Sequence, residues 1–176
     1  MDALKARRSA REYAAKPLPR QVLSNLLWAA YGVNRPSSGG RTAPSAHNWQ
    51  TIEIYAALPG GLYRYDAKAH RLAPVAALDA REIAGTQDFV KDAPLNLIYV
   101  ARMSLTRTSA EDSAEDVLAW SAAEAGAIAQ NVALYCASEG LANVVRAGVQ
   151  RAAFARAAGL AATDRILLAH TVGYPR

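Results

Sequence analysis

Two short segments contain residue types that bind phosphorylated ligands. Residues 7–11 read Arg-Arg-Ser-Ala-Arg, and guanidinium groups carry planar donors that match phosphate oxygens in pairs. Residues 44–50 read Pro-Ser-Ala-His-Asn-Trp-Gln, whose hydroxyl and amide groups can bind the polar edge of a ring or of a sugar-like chain. Either segment alone is also typical of a solvated surface or an ordinary loop. Their occurrence in one chain favours an organic cofactor that carries a phosphate.

The composition is that of one globular domain. The chain has 176 residues, of which 52% are hydrophobic, and this length supports a single domain over residues 1–176 with a core of its own. The net charge of +5 favours anionic ligands. The basic residues are scattered and are not interleaved with aromatic residues as in a stacking platform, so no nucleic-acid partner is expected.

The cysteine, histidine and apolar patterns argue against several other classes. A lone cysteine, Cys136, excludes an internal disulfide framework, and three histidines far apart in sequence indicate no metal site. No apolar run reaches the ~18 residues of a membrane span, so no membrane partner is expected. The charged start shows no secretory leader. We therefore expect a cytoplasmic protein, or a periplasmic one if a leader has been removed.

The familiar catalytic motifs are missing from the sequence. It has no Gly-x-Gly-x-x-Gly fingerprint for a dinucleotide, no Gly-Lys-Ser/Thr phosphate loop and no Gly-x-Ser-x-Gly elbow. A group of acidic residues fits a solvated helix start better than the carboxylate pair of a hydrolase: Glu111, Asp112, Glu115 and Asp116. This pattern suits a protein whose chemistry belongs to a bound cofactor.

The hydrophobic periodicity predicts an α+β domain, in which helices flank a central antiparallel sheet. Helices are expected at residues 19–31, 80–86, 114–138 and 151–158. Strands are expected at residues 51–55, 62–66, 70–72, 95–100, 143–145 and 165–172. Polar loops are expected at residues 33–43 and 103–115. The long helix carries small residues that predict close contact with another helix, in the interior or at a subunit interface: Ala122, Ala123, Gly126 and Ala129.

Further motifs follow the two polar segments in a fixed order. Tyr13 comes after the arginine cluster, and Trp120 and the pair Gln130-Asn131 lie in the long helix. Residues 140–148 read Gly-Leu-Ala-Asn-Val-Val-Arg-Ala-Gly, and residues 172–175 read Val-Gly-Tyr-Pro. Together these motifs cover nearly the whole chain. In this order they make the chain resemble the FMN-dependent nitroreductase family.

The resemblance implies a homodimer of α+β subunits with two FMN molecules at the subunit interface. By position, the FMN phosphate and ribityl chain would be held by Arg7, Arg8, Ser9 and Arg11, with further charge from Arg176. The flavin would be lined from the other subunit by Pro44, Ser45, Ala46 and Asn48. The isoalloxazine ring, its N5 facing a backbone N–H, would lie beside the turn formed by Val145, Arg146, Ala147 and Gly148. Such a donor stabilises the reduced, anionic flavin.

The resemblance also implies a two-step, ping-pong reaction. NADH or NADPH gives a hydride to the flavin N5 and leaves, and an electron-poor small acceptor, of the quinone or nitroaromatic type, then takes its place. No protein side chain is expected to be catalytic, because the flavin carries the chemistry. Residues 103–115 leave little room for helices that would cover the site, so an open mouth is expected. Arg146 would offer a cation to an anionic ligand, or else would face solvent.

Two alternative functions stay open. Residues 27–34 and 63–66 resemble a branch of the same family that includes thiazoline and oxazoline oxidases of peptide maturation, which use FMN to dehydrogenate a ring in a peptide. A Lys-Tyr pair serves those enzymes near the flavin, and the sequence offers no convincing one. The third possibility is a non-catalytic module that binds nucleic acid or another anion through the N-terminal arginines, and a steep salt dependence would identify it.

Overall fold

An antiparallel sheet of six strands organises the computed structural model, which describes residues 1–108 and 112–176. The strands are β1 (Val33–Arg35), β2 (Gly40–Arg41), β3 (Ile52–Leu58), β4 (Gly61–Asp66), β5 (Arg71–Ala76), β6 (Leu95–Ala101), β7 (Ala142–Arg146) and β8 (Arg165–Gly173). The helices are α1 (Asp2–Ala6), α2 (Arg20–Tyr31), α3 (Phe89–Asp92), α4 (Ala114–Ser138) and α5 (Arg151–Ala158). The six strands lie in the order β5-β4-β3-β6-β8-β7, and β1 and β2 form a separate hairpin. The α+β class and the central antiparallel sheet are confirmed.

The sheet has a hydrophobic core on each face. Successive side chains of a strand point to opposite sides, so one strand contributes to both cores. On β6, Leu97 and Tyr99 belong to a core that α2 and α4 cover, whereas Ile98 and Val100 belong to a second core that α5 covers. Fully burying one such aliphatic side chain contributes about 1.5–3 kcal/mol. The strand expected to be central, residues 95–100, therefore lies between two helical layers.

Helix α4, the longest element, begins and ends where the sequence predicts. The Ser113 hydroxyl accepts a hydrogen bond from the Asp116 backbone N–H at 3.1 Å, and the Asp116 carboxylate accepts one from the Ser113 N–H at 3.3 Å. This reciprocal pair satisfies donors that a helix start otherwise leaves unbonded. Beyond the last turn, Gly140 has a φ of +67°, a left-handed conformation that glycine adopts without strain.

Two segments differ from the predicted elements, and a third contains residues that the structure does not describe. Residues 33–43 contain the β1–β2 hairpin, which polar contacts rather than an apolar pattern support, since the Arg35 guanidinium donates to the Arg41 carbonyl at 3.0 Å. Residues 80–84 form a single hydrogen-bonded turn rather than a helix, and the neighbouring short helix is α3. The loop expected at residues 103–115 includes residues 109–111, which lie outside the described part of the chain. No helix in the described ranges is long and apolar enough to cross a membrane.

Candidate functional site

The N-terminal segment lies between β7 and the end of the chain. The Ala10 N–H donates to the Asn143 carbonyl at 2.8 Å, and the Ala14 N–H donates to the Tyr174 carbonyl at 2.9 Å. Tyr13 forms an antiparallel bridge with Pro175. The three segments that the sequence singled out around residues 7–11, 142–148 and 174–176 are therefore neighbours in space.

Four arginines of this region are free to bind a ligand. Arg7, Arg8, Arg11 and Arg176 are exposed, and within residues 1–108 and 112–176 none of their guanidinium groups has a hydrogen bond or an acidic partner. Arg8 lines a cavity of about 140 Å³ together with Asn143 and Pro175. Ser9 is also exposed. Exposed guanidinium groups without partners, one of which lines a small cavity, have the donor chemistry that a phosphate group requires.

The turn after β7 presents its backbone on the surface. Val145 is 43% exposed, and Ala147 is exposed as well. At Gly148, an added Cβ would come within 2.8 Å of the Thr86 hydroxyl oxygen, so this position has no room for a larger residue unless Thr86 moves. The turn thus packs on residues near Thr86 from one side and leaves its other side open to a ligand.

The Arg146 side chain faces inward. Both predictions for it, a cation offered to an anionic ligand and a side chain that faces solvent, are therefore wrong. It is buried at 9% exposure, and its guanidinium donates to the Asn96 amide oxygen at 2.9 Å and to the Thr171 hydroxyl at 2.9 Å. It also donates to the carbonyls of Ala84 at 2.7 Å and Gly148 at 2.5 Å. Burial lowers the pKa of Arg146 to about 10, so the group is charged at neutral pH. The guanidinium is therefore bound within the protein, and only the backbone of Arg146 is available at the surface of the turn.

The polar side chains around Arg146 lie on the buried strands, and the sequence analysis does not predict that they form this hydrogen-bond network. Thr171 donates its hydroxyl hydrogen to the Asn96 amide oxygen at 2.7 Å, and Asn96 donates to the Val90 carbonyl at 2.8 Å. His170, the next residue on β8, has its Nε2 2.9 Å from the Asn143 amide oxygen. The available signal was the run of polar residues inside otherwise apolar strands, since buried polar groups require partners.

The second polar segment lies elsewhere in the subunit. Residues 44–50 contact Trp120 and Glu124 of α4, whereas Arg8 shares its cavity with Ala137, thirteen residues further along the helix, which is about 20 Å at 1.5 Å per residue. The two segments therefore lie apart in one chain. The segment has an unusual backbone, with φ of +50° at His47, +53° at Asn48 and +55° at Gln50. Such left-handed conformations in non-glycine residues are costly and persist only where the surroundings hold them.

A buried carboxylate, which sequence reasoning missed, holds this segment. Glu124 of α4 is 3% exposed and accepts hydrogen bonds from the Ser45 hydroxyl at 2.7 Å, the Thr51 hydroxyl at 3.0 Å and the Tyr31 hydroxyl. The Ser45 hydroxyl oxygen in turn accepts from the Gln50 N–H at 2.8 Å. The only sequence signal was a lone acid among alanines on α4. Ser45 is thus fixed from within, whereas the exposed Pro44 and Asn48 are available to another molecule.

Aromatic rings cover the outer side of the same segment. The His47 ring stacks on Trp49 with centroids 4.8 Å apart, and the Trp120 ring of α4 meets His47 edge-on at 5.4 Å. Trp120 therefore packs against the loop. At the cavity beside Arg8, burial raises the pKa of the Cys136 thiol to about 12. The described residues contain no group of three or more side chains that could hold a metal ion.

Comparison with known proteins agrees with the sequence motifs. A model of the nitroreductase family matches residues 4–174. A curated Methanocaldococcus jannaschii protein that bears the nitroreductase name is 36% identical over 155 residues, which is 81% of this chain and 75% of the relative. The solved structure of a nitroreductase homologue from Ralstonia eutropha JMP134 is 44% identical, with a TM-score of 0.92 over 99% of this chain and 82% of the other.

More distant structures share the fold alone. The Escherichia coli microcin synthetase complex with truncated pro-MccB17 is 20% identical, with a TM-score of 0.80 over 94% of this chain and 67% of the other. The NADPH:FMN oxidoreductase of Vibrio harveyi, in complex with NAD+, is 21% identical, with a TM-score of 0.70 over 98% and 67% of the two chains. The motifs, the sheet order and the match over residues 4–174 lead to one conclusion: the chain belongs to the nitroreductase family.

Proposed function

We propose that the chain is an FMN-dependent oxidoreductase that takes a hydride from NADH or NADPH and passes it to an electron-poor small acceptor. Quinones and nitroaromatic compounds are the acceptor class. One observation carries the proposal: among the described residues, the guanidinium groups of Arg7, Arg8, Arg11 and Arg176 are exposed and unpaired, and the backbone contacts Ala10–Asn143 and Tyr13–Pro175 join their segments to β7 and to each other. A phosphate site and an exposed backbone turn are what a phosphorylated flavin requires.

A second copy of the chain is needed to complete the site. The cavity beside Arg8 measures about 140 Å³, below the roughly 300 Å³ at which small-molecule pockets begin. It has room for a phosphate group but not for a tricyclic ring. Residues 44–48 stand apart from it in the same chain. We infer that the flavin lies between two subunits, with Pro44, Ser45, Ala46 and Asn48 contributed by the partner.

The protein groups in this arrangement bind, orient and shield. Arg7, Arg8, Ser9 and Arg11 hold the phosphate and the ribityl chain, and Arg176 adds charge there. The backbone of Val145, Arg146, Ala147 and Gly148 orients the ring, and one of its N–H groups supplies a hydrogen bond at the position where negative charge develops. The bound FMN supplies reversible two-electron chemistry at its N5. No protein side chain transfers a proton in this scheme.

A second candidate function is the dehydrogenation of thiazoline or oxazoline rings in a peptide. The specific observation in its favour is the fold shared with a microcin synthetase complex, together with the resemblance of residues 27–34 and 63–66 to that branch. Such an enzyme reduces its flavin with the peptide ring instead of a nicotinamide. Anaerobic mixing with NADH or NADPH separates the two candidates, because rapid loss of flavin absorbance at catalytic rates favours the first.

The first experiment identifies the cofactor. The purified protein is denatured, and the supernatant is compared with FMN, FAD and riboflavin. We expect about one FMN per chain. Arg7→Ala and Arg11→Ala should each weaken FMN binding roughly ten- to hundredfold, because a hydrogen bond to a charged group is worth about 1.5–3 kcal/mol. The control is Arg20→Ala, which removes an exposed arginine at the start of α2. Unchanged FMN affinity in both variants would refute the phosphate assignment.

A further inference from the structure

Arg146 places a positive charge inside the protein without a countercharge. Within the described residues its guanidinium donates to four neutral oxygens, and no carboxylate there forms an ion pair with it. Two partly shielded arginines contrast with it, because Arg102 pairs with Glu53 at 2.7 Å and with Asp164 at 3.0 Å, and Arg81 pairs with Asp79 at 2.6 Å. Burying an unpaired charge is costly even when it is hydrogen-bonded. A neutral side chain could satisfy the same fold at lower cost, so the charge itself calls for an explanation.

The guanidinium is attached to the turn that we assign to the flavin. One nitrogen, Nη1, donates both to the Gly148 carbonyl at 2.5 Å and to the Ala84 carbonyl at 2.7 Å. Ala147, between Arg146 and Gly148, is exposed on the other side of the turn. The charge therefore lies directly behind an open strip of backbone, in an interior where water does not screen it.

We propose that the buried charge of Arg146 raises the midpoint potential of the bound flavin. This inference rests on the proposed function, because it requires FMN beside residues 145–148. Hydride transfer brings two electrons and one proton to the flavin N5, so the ring gains one negative charge while the donor leaves as oxidised nicotinamide. A fixed positive charge stabilises the charged product more than the neutral ring. Arg7, Arg8 and Arg11 differ in this respect, since the phosphate they bind has the same charge in both redox states.

The positive charge of Arg146 and the planar set of N–H donors on its guanidinium, the hydrogen-bonding fork, can be removed separately by substitution. Arg146→Met removes both at similar side-chain length, whereas Arg146→Lys removes the planar fork and keeps the charge. Loss of the fork alone would loosen the turn and weaken binding of oxidised and reduced FMN alike. Loss of the charge would weaken binding of reduced FMN in particular, which appears as a lower midpoint potential.

The test measures the midpoint potential of FMN bound to each variant, by equilibrium with a reference dye. For Arg146→Met we expect at least a tenfold loss in the equilibrium constant for reduction, which is a fall of about 30 mV for a two-electron couple. Arg146→Lys should keep a potential close to that of the wild type. The matched control is Arg151→Met. Arg151 donates to the Ala147 carbonyl of the same turn at 3.4 Å, but this residue is exposed to water. Its potential should not change.

A second variant covers the case in which Arg146→Met does not fold. Asn96→Asp places a carboxylate next to the guanidinium, since the Asn96 amide oxygen lies 2.9 Å from Arg146 Nη2. It opposes the charge and keeps the fork, at the cost of the hydrogen bond that the Asn96 amide donates to the Val90 carbonyl, so it should lower the potential as well. An unchanged potential in Asn96→Asp or Arg146→Met, or equal falls in the Met and Lys variants, would overturn the inference. A wild-type protein that neither releases nor takes up FMN would overturn the proposed function instead.

Discussion

His170 connects the charge of Arg146 with the stability of the sheet. It is 1% exposed, its Nε2 lies 2.9 Å from the Asn143 amide oxygen, and its Nδ1 lies 3.3 Å from the Tyr99 hydroxyl. The amide oxygen can only accept, so Nε2 carries the hydrogen and Nδ1 accepts from Tyr99. Burial, and then the nearby Arg146 charge, lower the pKa of His170 to about 3. The imidazole is therefore neutral in the folded protein.

This neutral histidine predicts a specific pH dependence of stability. Below its unfolded-state pKa of about 6.5, the unfolded chain binds a proton that the folded protein excludes, down to about pH 3. The free energy of unfolding should therefore decrease as the pH is lowered through that window. This group contributes a decrease of up to about 1.4 kcal/mol per pH unit. In His170→Gln the slope between pH 7 and pH 4, measured by urea denaturation, should be smaller. The comparison protein is His70→Gln, which replaces a histidine on the surface. Identical slopes in all three proteins would contradict the assignment.

The position of Arg146 could have been read from strand alternation. Val144 is 2% exposed, Val145 is 43% exposed, and Arg146 follows with the buried set. Both predictions for Arg146, a cation offered to an anionic ligand or a side chain that faces solvent, place it at the surface, where most arginines lie. The sequence did indicate which residues are near the end of β7, but the partners of Arg146 lie on β6, on β8 and in the turn at Ala84. Such contacts depend on strand register, which composition does not encode.

At the scale of elements, α4 serves as the support for the loop at residues 44–50. Its bounds, residues 114–138, are predicted from the sequence and confirmed. Its contact with the loop is not predicted, because nothing near Glu124 in sequence distinguishes a buried acid from an exposed one. The carboxylate joins α2, the loop and the start of β3 through Tyr31, Ser45 and Thr51. The loop's left-handed residues are held by this junction.

Replacing this carboxylate should destabilise the protein and the loop together. In Glu124→Gln an amide donor faces the hydroxyl donors of Ser45 and Thr51, so at least one buried polar group loses its partner. The free energy of unfolding should fall by about 1–3 kcal/mol, as measured by urea denaturation. FMN binding should weaken in parallel, because residues 44–48 lose their support. Glu139→Gln, an exposed change just after α4, should stay within about 0.5 kcal/mol of the wild type. A Glu124→Gln protein as stable as that control would contradict the anchoring role.

At the scale of the molecule, one subunit leaves apolar surface uncovered. Trp28 of α2 is 45% exposed, and a shallow groove of about 490 Å³ runs between Trp28 and Tyr135 of α4. On α4 itself, Ala122 and Ala123 are exposed, and a Cβ added at Gly126 would meet no atom within 4 Å. Three of the small residues expected to pack on another helix are thus uncovered in the single chain, whereas the fourth, Ala129, is 5% exposed and packs in the core of the same subunit. A second copy on this face would bring two halves of a flavin site into one molecule.

The arginine variant at Gly126 tests this arrangement, because the folded subunit has room for it. Replacing glycine inside a helix favours the helical conformation by up to about 1 kcal/mol, so Gly126→Arg should fold. If α4 forms the interface, the variant should be a monomer by sedimentation and should lose FMN, while the wild type is a dimer that binds it. Ala152→Arg adds the same charge to an exposed position of α5, on the other face of the sheet, and should leave both properties intact. If Gly126→Arg is a folded dimer with normal FMN content, the subunit interface lies elsewhere. If the wild type is a monomer that retains FMN, one chain completes the site alone.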